Sequence, residues 1–225
     1  MIAHRKCLLG FDCKSGQSAW PTRSFDFDFD STPLVADLDH DGDDELIAVR
    51  VGSPRHSLTA SAVSLRRWAS HSDEANHETR NVTPDDLLWS ASLDRFAIDT
   101  EHHGPPGYHQ RRRSPPIRIA DLDDDQHPEV LLVDQSAKTP PSRESRLIVL
   151  NGETGKGRWN ATFPRTDHDS RWVMIDRTLF GPDINRDGVR DVFVSSRQQD
   201  NRAVGVVVEA FSGRDGERLW RWNHE

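Results

Sequence analysis

Three clusters of acidic residues carry the strongest chemical signal in this sequence. In the first cluster, residues 37–45, six of nine positions are Asp or Glu. Carboxylates packed this closely repel one another and raise one another's pKa values unless a cation lies among them. Calcium takes about six to eight oxygen ligands and tolerates irregular geometry. The cluster therefore predicts a calcium-binding loop.

The same spacing of oxygen-bearing side chains occurs three times. We call residues 37–45, 121–129 and 183–191 the first, second and third acidic loops, and number their positions from 1 to 9. Side chains at positions 1, 3 and 5 of a tight loop can point inward together, and position 9 closes the site from the strand that follows. The candidate ligands at these positions are Asp37, Asp39, Asp41 and Glu45; Asp121, Asp123, Asp125 and Glu129; and Asp183, Asn185, Asp187 and Asp191. Asp43, at position 7, is a further candidate in the first loop. We expect about three Ca²⁺ sites, in which each ion ties the strand before a loop to the strand after it.

Position 6 of each loop requires a sharp turn. Gly42 and Gly188 occupy it in the first and third loops, whereas the second loop has Gln126. We therefore expect a strained or differently shaped turn in the second loop, with Pro128 stiffening it.

Two familiar classes of calcium loop do not fit the acidic loops. An EF-hand needs Glu at position 12 of its loop, and those positions hold Ala48, Leu132 and Val194. A dockerin-type loop would be followed by a helix, whereas β-branched runs follow these loops. The remaining alternative is a set of solvated acidic turns that bind no ion.

The elements that position the loops are predicted to be short strands. Three segments, residues 11–20, 150–159 and 211–220, each contain a Gly followed four residues later by a Trp. We call these segments the Gly turns; Gly16, Gly155 and Gly216 suit the left-handed position of a hairpin. Between the Gly turns and the acidic loops lie strand-length, β-branched runs. One unit therefore contains strand A, acidic loop, strand B, strand C, Gly turn and strand D, which ends at a Trp.

Such units predict an all-β protein built from four-stranded antiparallel blades, as in a β-propeller. We expect a single repeat domain over residues 1–225, with about three and a half blades in a partial or open propeller. The predicted pieces are a half blade at 1–20 (strands C and D) and blades at 31–90, 115–160 and 176–222. An open arc leaves unpaired edges, so we also expect an oligomer or the remainder of a longer chain.

The acidic loops resemble those of FG-GAP/VCBS repeats, the blades of integrin α-chain propellers and of many exported bacterial proteins. The stretch "LFGPDINRDG" (179–188) carries the resemblance best. The Gly turns resemble quinoprotein-like propeller repeats. These resemblances imply structural calcium sites and a non-catalytic binding or scaffold module. They also leave an alternative open, namely a fragment of a calcium-dependent polysaccharide lyase or of a quinoprotein-like enzyme.

The predicted ligand, a protein or a glycan, is expected on the face opposite the acidic loops. Irregular segments at 52–60, 97–116, 135–145, 161–175 and 196–202 fall on that face. Within it, residues 100–116 contain His102, His103, His109 and Arg111 to Arg113, which suit zinc or an anion as well as a solvated loop. Trp68, Trp172 and Trp222 are open to two interpretations, blade packing or sugar stacking.

Composition excludes several classes of function. The formal net charge of −8 argues against nucleic acid as a partner. No apolar run has the length of a membrane span, and no nucleophile motif or phosphate-binding loop occurs. Cys7 and Cys13 are expected to be unpaired. Because weakly bound calcium is useful where the ion is abundant, we expect an extracellular, cell-surface or periplasmic location.

Overall fold

The prediction of an all-β fold is confirmed. The computed structural model describes residues 2–4, 7–9, 14–15, 17, 23–24, 33–51, 58–70, 82–92, 117–134, 145–163, 172–199 and 204–224. Within them lie three four-stranded antiparallel sheets, one three-stranded sheet and very little helix. The helical elements are α1 (Leu65–Ser70) and a 3-10 turn (Pro84–Asp86).

Each four-stranded sheet follows the chain in order, strand beside strand. The first blade consists of β4 (Leu34–Ala36), β5 (Glu45–Val51), β6 (Leu58–Ser64) and β7 (Leu87–Ser92). The second blade consists of β8 (Ile117–Ala120), β9 (Glu129–Asp134), β10 (Ser145–Asn151) and β11 (Gly157–Phe163). The third blade consists of β12 (Trp172–Phe180), β13 (Val192–Gln199), β14 (Val204–Phe211) and β15 (Arg218–His224). In the described part of the chain the sheets do not close, which fits a partial or open propeller-like arrangement.

Consecutive blades pack face to face through alternate residues of their strands. In β5, Ile47 and Val49 face the second blade, and Leu46, with the opposite orientation, packs on Trp68 of α1. This alternation is the period of two expected of a strand buried on both sides. Trp68 is only 1% exposed, so it packs within the protein. A second apolar layer joins the second and third blades, and Phe163 meets Phe211 there at 5.4 Å between ring centroids.

A β-bulge recurs at the same place in all three blades. The register shifts between the third and fourth strands, one residue before the Trp that pairs across the sheet. A bulge of this kind leaves one residue unpaired and changes the direction in which its side chain points. The residues at the bulge are Leu88, Arg158 and Leu219.

The N-terminal segment contributes a small sheet of three strands. These are β1 (Ile2–His4), β2 (Cys7–Leu9) and β3 (Arg23–Ser24), with β2 in the middle. Cys13, Gly16 and Trp20 lie outside the described residues. None of the described helices is long and apolar enough to cross a membrane.

Candidate metal centres in the acidic loops

The three acidic loops have the same backbone conformation. Each connects the first and second strands of its blade, and positions 4 and 6 of each have positive φ. The angles are 58° and 87° at His40 and Gly42, 57° and 71° at Asp124 and Gln126, and 63° and 86° at Arg186 and Gly188. The second loop therefore has the same shape as the other two. Gln126 adopts a left-handed backbone conformation that is sterically strained for a residue with a Cβ, whereas Gly42 and Gly188 adopt it without that strain.

The acid at position 9 anchors each loop from inside the protein. These side chains are at most 1% exposed, and each accepts a hydrogen bond from the backbone N–H of position 2. The donor–acceptor pairs are Leu38 to Glu45 (2.9 Å), Leu122 to Glu129 (2.9 Å) and Ile184 to Asp191 (2.7 Å). Burying a carboxylate is costly unless hydrogen bonds or a cation compensate it. Asp191 also accepts the backbone N–H of Gly213 at 3.3 Å, whereas Glu45 and Glu129 have one amide each, which compensates their burial only in part.

Position 1 is held in a similar way. Its carboxylate accepts the backbone N–H of position 6, so the loop closes on itself. The distances are 3.2 Å from Gly42 to Asp37, 2.9 Å from Gln126 to Asp121 and 2.8 Å from Gly188 to Asp183. The repeated spacing in the sequence therefore corresponds to a repeated hydrogen-bond pattern.

The first loop gathers carboxylates, and among the described residues no basic side chain forms an ion pair with Asp37, Asp39 or Asp41, although the charge of the exposed Arg66 acts on Asp41. Oxygens of Asp37, Asp39 and Asp41 lie within 4.8 Å of one another, and the buried Oδ1 of Asp37 has no hydrogen-bond partner. Burial, supported by the charges of these three aspartates and opposed by the Leu38 amide, raises the pKa of Glu45 to about 7. Asp43 instead accepts a 2.7 Å hydrogen bond from Arg66 at the rim.

The second loop gathers Asp121, Asp123 and Glu129, again with oxygens within 4.8 Å. Here Arg158 lies against the cluster, donating 2.7 Å to Asp123 Oδ2 and a second hydrogen bond to Glu129 Oε1. Burial raises the pKa of Glu129, although the Leu122 amide and Arg158 oppose it. Burial would also raise the pKa of Asp123, but the hydrogen bond and charge of Arg158 prevail and lower it. Asp125 lies outside the cluster and accepts the His127 amide at 2.8 Å.

The second loop nevertheless keeps oxygens that no donor satisfies. Oδ1 of Asp121 and Oδ1 of Asp123 are buried and have no hydrogen-bond partner. The guanidinium therefore neutralises only one side of this cluster.

In the third loop, hydrogen bonds from within the loop and from the neighbouring Gly turn satisfy the carboxylate of Asp187. Asp187 Oδ2 accepts hydrogen bonds from Asn185 Nδ2 (2.9 Å) and Ser212 Oγ (3.2 Å), and Arg214 Nε lies 3.7 Å away. Burial would raise the pKa of Asp187, but these contacts and the Val189 amide lower it. Among the residues that the structure describes, carboxylates cluster in the first and second loops but not in the third.

Arg158 is the functional residue that the sequence pattern did not reveal. It stands at the bulge where the other two blades have Leu88 and Leu219. A charged residue at an otherwise apolar repeat position was the one signal in the sequence. Its target could not be predicted, because the bulge decides the direction of the side chain.

Neighbouring acidic loops touch one another. The backbone N–H of Arg190 donates to the carbonyl of Leu122 at 2.7 Å. Pro128 occupies the corresponding position in the second loop and has no N–H to donate. There His40 Nε2 hydrogen-bonds the Gln126 carbonyl instead, and its ring lies 5.5 Å from that of His127. Both arrangements link one loop to the next.

The Gly turns at residues 150–159 and 211–220 each pack against the Trp of the preceding blade. Trp89 Nε1 donates to the carbonyl of Gly152, and Trp159 Nε1 donates to that of Gly213 at 2.7 Å. A Cβ added at Gly155 or Gly216 would lie 2.5 Å from the indole of Trp89 or Trp159, respectively. The Trp at the end of one blade and the Gly turn of the next are therefore two halves of one contact.

Most of the segments predicted to form the ligand face lie outside the described residues. The His- and Arg-rich residues His102, His103, His109 and Arg111 to Arg113 lie outside the described residues, as does the side chain of Trp172. Trp222 is described and is 53% exposed.

Fold and loops together define an all-β protein of stacked four-stranded sheets, with two acidic clusters that could hold a metal ion. Comparison with protein-family models found no match, and comparison with curated protein sequences found none either.

Proposed function

We propose that this chain is a calcium-binding propeller module of the FG-GAP/VCBS type, acting as a non-catalytic scaffold for a protein or glycan ligand. The observation that carries the calcium proposal is the set of buried carboxylate oxygens without a donor. These are Oδ1 of Asp37, of Asp121 and of Asp123. A buried, unpaired anionic oxygen is costly, and a bound cation would supply the missing partner.

The chemistry of the donors favours calcium over other metals. The first loop would hold the ion through Asp37, Asp39, Asp41 and Glu45, all hard oxygen ligands. Zinc in structural sites prefers Cys and His, and neither cluster contains either residue. Magnesium demands near-ideal octahedral geometry, whereas calcium accepts an irregular loop. When bound, the ion would neutralise carboxylates that the chain leaves unpaired and thereby stabilise the loop.

The three loops should differ in affinity. In the first loop, no basic side chain among the described residues pairs directly with the clustered aspartates, and the exposed Arg66 acts on Asp41 only through its charge. Arg158 opposes an ion in the second loop, and in the third loop an ion would have to replace the hydrogen bonds that Asn185 and Ser212 donate to Asp187. We therefore order calcium affinity as first, second, third loop. A third ion at Asp183, Asn185, Asp187 and Asp191 stays a prediction.

Thermal unfolding with calcium and with a chelator tests the stabilising role. If affinities lie near ~10⁻⁴–10⁻³ M, as in extracellular modules, roughly 10 mM calcium stabilises by about 1–3 kcal/mol per site. The midpoint should then rise by about 2–4 °C for each kcal/mol. Asp39→Ala should reduce this rise, whereas Asp85→Ala, at an exposed acid outside the loops, should leave it unchanged. Identical melting in calcium and chelator would refute the proposal.

The scaffold role rests on how the loop carboxylates are used. They accept backbone amides at fixed positions, which suits structural ligands better than an acid–base pair. An extracellular setting, where calcium is abundant, accords with sites of modest affinity. A glycan array run beside a lyase assay on acidic polysaccharides tests this role. Saturable binding without turnover supports it, and formation of an unsaturated product would show an enzyme instead.

A further inference from the structure

Three metal-ligating side chains from separate segments come together where the first and second blades touch, outside the two carboxylate clusters. His40 belongs to the first acidic loop, His127 to the second acidic loop and Glu153 to the Gly turn of the second blade. The rings of the two histidines lie 5.5 Å apart between centroids, at 76° to one another. His127 Nδ1 lies 3.8 Å from Glu153 Oε2. The calcium proposal uses none of these side chains.

Nδ1 of His127 lacks a hydrogen-bond partner. This atom is buried and no donor or acceptor reaches it, since the 3.8 Å to the Glu153 carboxylate exceeds hydrogen-bond distance. A buried polar atom without a partner is costly. In a neutral ring with its proton on Nε2, the lone pair of Nδ1 also faces a negatively charged oxygen. A cation between the two atoms removes both penalties.

A single zinc ion fits between these two atoms. Zinc bonds to imidazole nitrogen and to carboxylate oxygen are each about 2.0–2.2 Å long, so two bonds span up to about 4.2 Å. The ion therefore reaches both His127 and Glu153 across the 3.8 Å gap. By the same bond lengths, two imidazoles on one tetrahedral zinc have centroids about 5 Å apart. The 5.5 Å between the rings of His40 and His127 is close to that separation.

His40 is held in the way that metal-binding histidines are held. Its Nε2 hydrogen-bonds the backbone carbonyl of Gln126. Because a carbonyl only accepts, Nε2 carries the proton, and Nδ1 of the neutral ring keeps a free lone pair. Histidines that bind metals donate their other ring N–H to a carbonyl or carboxylate in this manner, which fixes the tautomer and the orientation of the ring.

The corresponding junction between the second and third blades is built from other residues. The equivalent positions hold Asp124, Val189 and Arg214, and Arg214 lies against Asp187 of the third loop. The third loop nevertheless has the same backbone conformation as the other two. The repeat therefore does not require the two histidines and the glutamate for its shape.

We propose that His40, His127 and Glu153 bind one divalent transition metal ion of the zinc type, through Nδ1 of each histidine and the carboxylate. Imidazole and carboxylate are ligands that zinc accepts, and three protein ligands leave the fourth tetrahedral position to water. The side chains of His127 and Glu153 are 41% and 49% exposed, so the ion enters directly from solvent. It ties the first blade to the second. The site shares no ligand with the acidic loops, so this proposal and the calcium proposal can fail separately.

Calorimetric titration with zinc tests the proposal, in about 1 mM calcium so that the acidic loops are supplied with their own ion. The wild type should bind a zinc ion for which His40→Ala, His127→Ala and Glu153→Gln each lower the affinity by at least about tenfold, the smallest loss usual even for an outer-shell partner of a metal ligand. His224→Ala removes an exposed histidine of the third blade and is the matched control. It should bind zinc as the wild type does, and zinc bound elsewhere on the chain would be lost in none of the three site variants.

Two further measurements keep the outcome specific to this site. Far-ultraviolet circular dichroism establishes that each variant is folded. Long-range proton–nitrogen correlation spectra of the imidazoles should show zinc on Nδ1 of His40 and of His127. A wild type that binds no zinc, or any of the three site variants that binds it as tightly as the wild type, would overturn the proposal. So would zinc-induced changes confined to other histidines.

Discussion

Glu45, Glu129 and Asp191 are the residues around which each acidic loop is organised. All three are buried at the start of a second strand and hold the loop through the backbone amide of position 2, and Asp191 also accepts the amide of Gly213. Their surroundings differ in charge. Glu45 has only other acids nearby, whereas Glu129 has Arg158. Position 9 therefore has a different electrostatic environment in the first and second loops, although the backbone conformation of the two loops is the same.

Glu45 predicts a specific pH dependence of the calcium-free protein. Its pKa is about 7 in the folded state and about 4.3 when unfolded. Between these values the folded protein keeps a proton that the unfolded chain has released, so stability falls as pH rises through this window. Below it the carboxyl is neutral in both states and imposes no penalty. Across the window, the unfolding free energy of the wild type should drop by about 3 kcal/mol relative to Glu45→Gln.

Urea unfolding in chelator at about pH 5 and about pH 8 measures this difference. Glutamine can still accept the Leu38 amide, so the loop geometry should survive in the variant. Saturating calcium should abolish the difference in the wild type, because the ion favours the charged carboxylate. Parallel pH profiles for the two proteins in chelator would contradict the expectation.

Arg158 should have opposite effects on stability and on calcium binding. Arg158→Leu leaves Glu129 buried without its partner, and in chelator it should destabilise by about 3 kcal/mol, the lower end for breaking a buried ion pair. The lower end applies because the Arg158 side chain is 25% exposed. With that competing cation gone, calorimetric titration should show tighter calcium binding at the second loop. Arg66→Leu removes an exposed ion pair at the first loop and should appreciably change neither the stability of the protein nor calcium binding at the second loop. Weaker calcium binding in Arg158→Leu would show that the guanidinium supports the site.

The repeated shape of the acidic loops could be predicted from the sequence because loop spacing is a local property, whereas the role of their side chains as calcium ligands stays a prediction. Positions 1, 3, 5 and 9 lie within one turn, and their backbone angles repeat. Arg158 depends instead on a bulge between two strands, and Arg214 approaches the third loop from a distant turn. Whether the carboxylates of a loop have basic or hydrogen-bonding partners therefore depends on tertiary contacts, which the spacing of residues in the sequence does not encode.

At the scale of elements, the Gly turns do more than reverse the chain. The sequence indicated a hairpin with Gly in the left-handed region, and Gly155 and Gly216 do have φ of 67° and 76°. Their contact with the Trp of the preceding blade was not predictable, since it joins separate sheets. Gly is required there both for the backbone angle and for the close approach of an indole ring.

Gly216→Ala should therefore destabilise the protein by about 2–4 kcal/mol, combining left-handed strain with overpacking against Trp159. A Cβ at Gly157 would meet nothing within 4 Å, so Gly157→Ala is the matched control and should have little effect. Urea unfolding in calcium compares the two variants. Equal losses of stability would mean that the contact between blades contributes nothing.

At the scale of the whole molecule, short runs separated by turn residues were sufficient to predict an all-β fold of four-stranded antiparallel sheets. Turn chemistry and β-branched composition are local, and strands that follow one another in sequence pair as neighbours. The covering of one blade face by α1 and Trp68 was not predicted, because that contact depends on how the segment between β6 and β7 folds back. The exposure of Trp220 and Trp222 in the third blade was not predicted either, because it depends on which sheet faces the other blades cover.

The central claim is that the acidic loops bind calcium, and equilibrium dialysis against radiolabelled calcium tests it most directly. At about 1 mM calcium, a concentration typical for extracellular modules, the wild type should retain calcium in excess of the buffer. A site with a Kd near ~10⁻⁴–10⁻³ M is roughly half to nine-tenths occupied at this concentration. Asp39→Ala should therefore retain fewer ions by about that fraction per chain, and Asp85→Ala as many as the wild type. Equal calcium on both sides of the membrane for every protein, at concentrations well above this, would contradict the account.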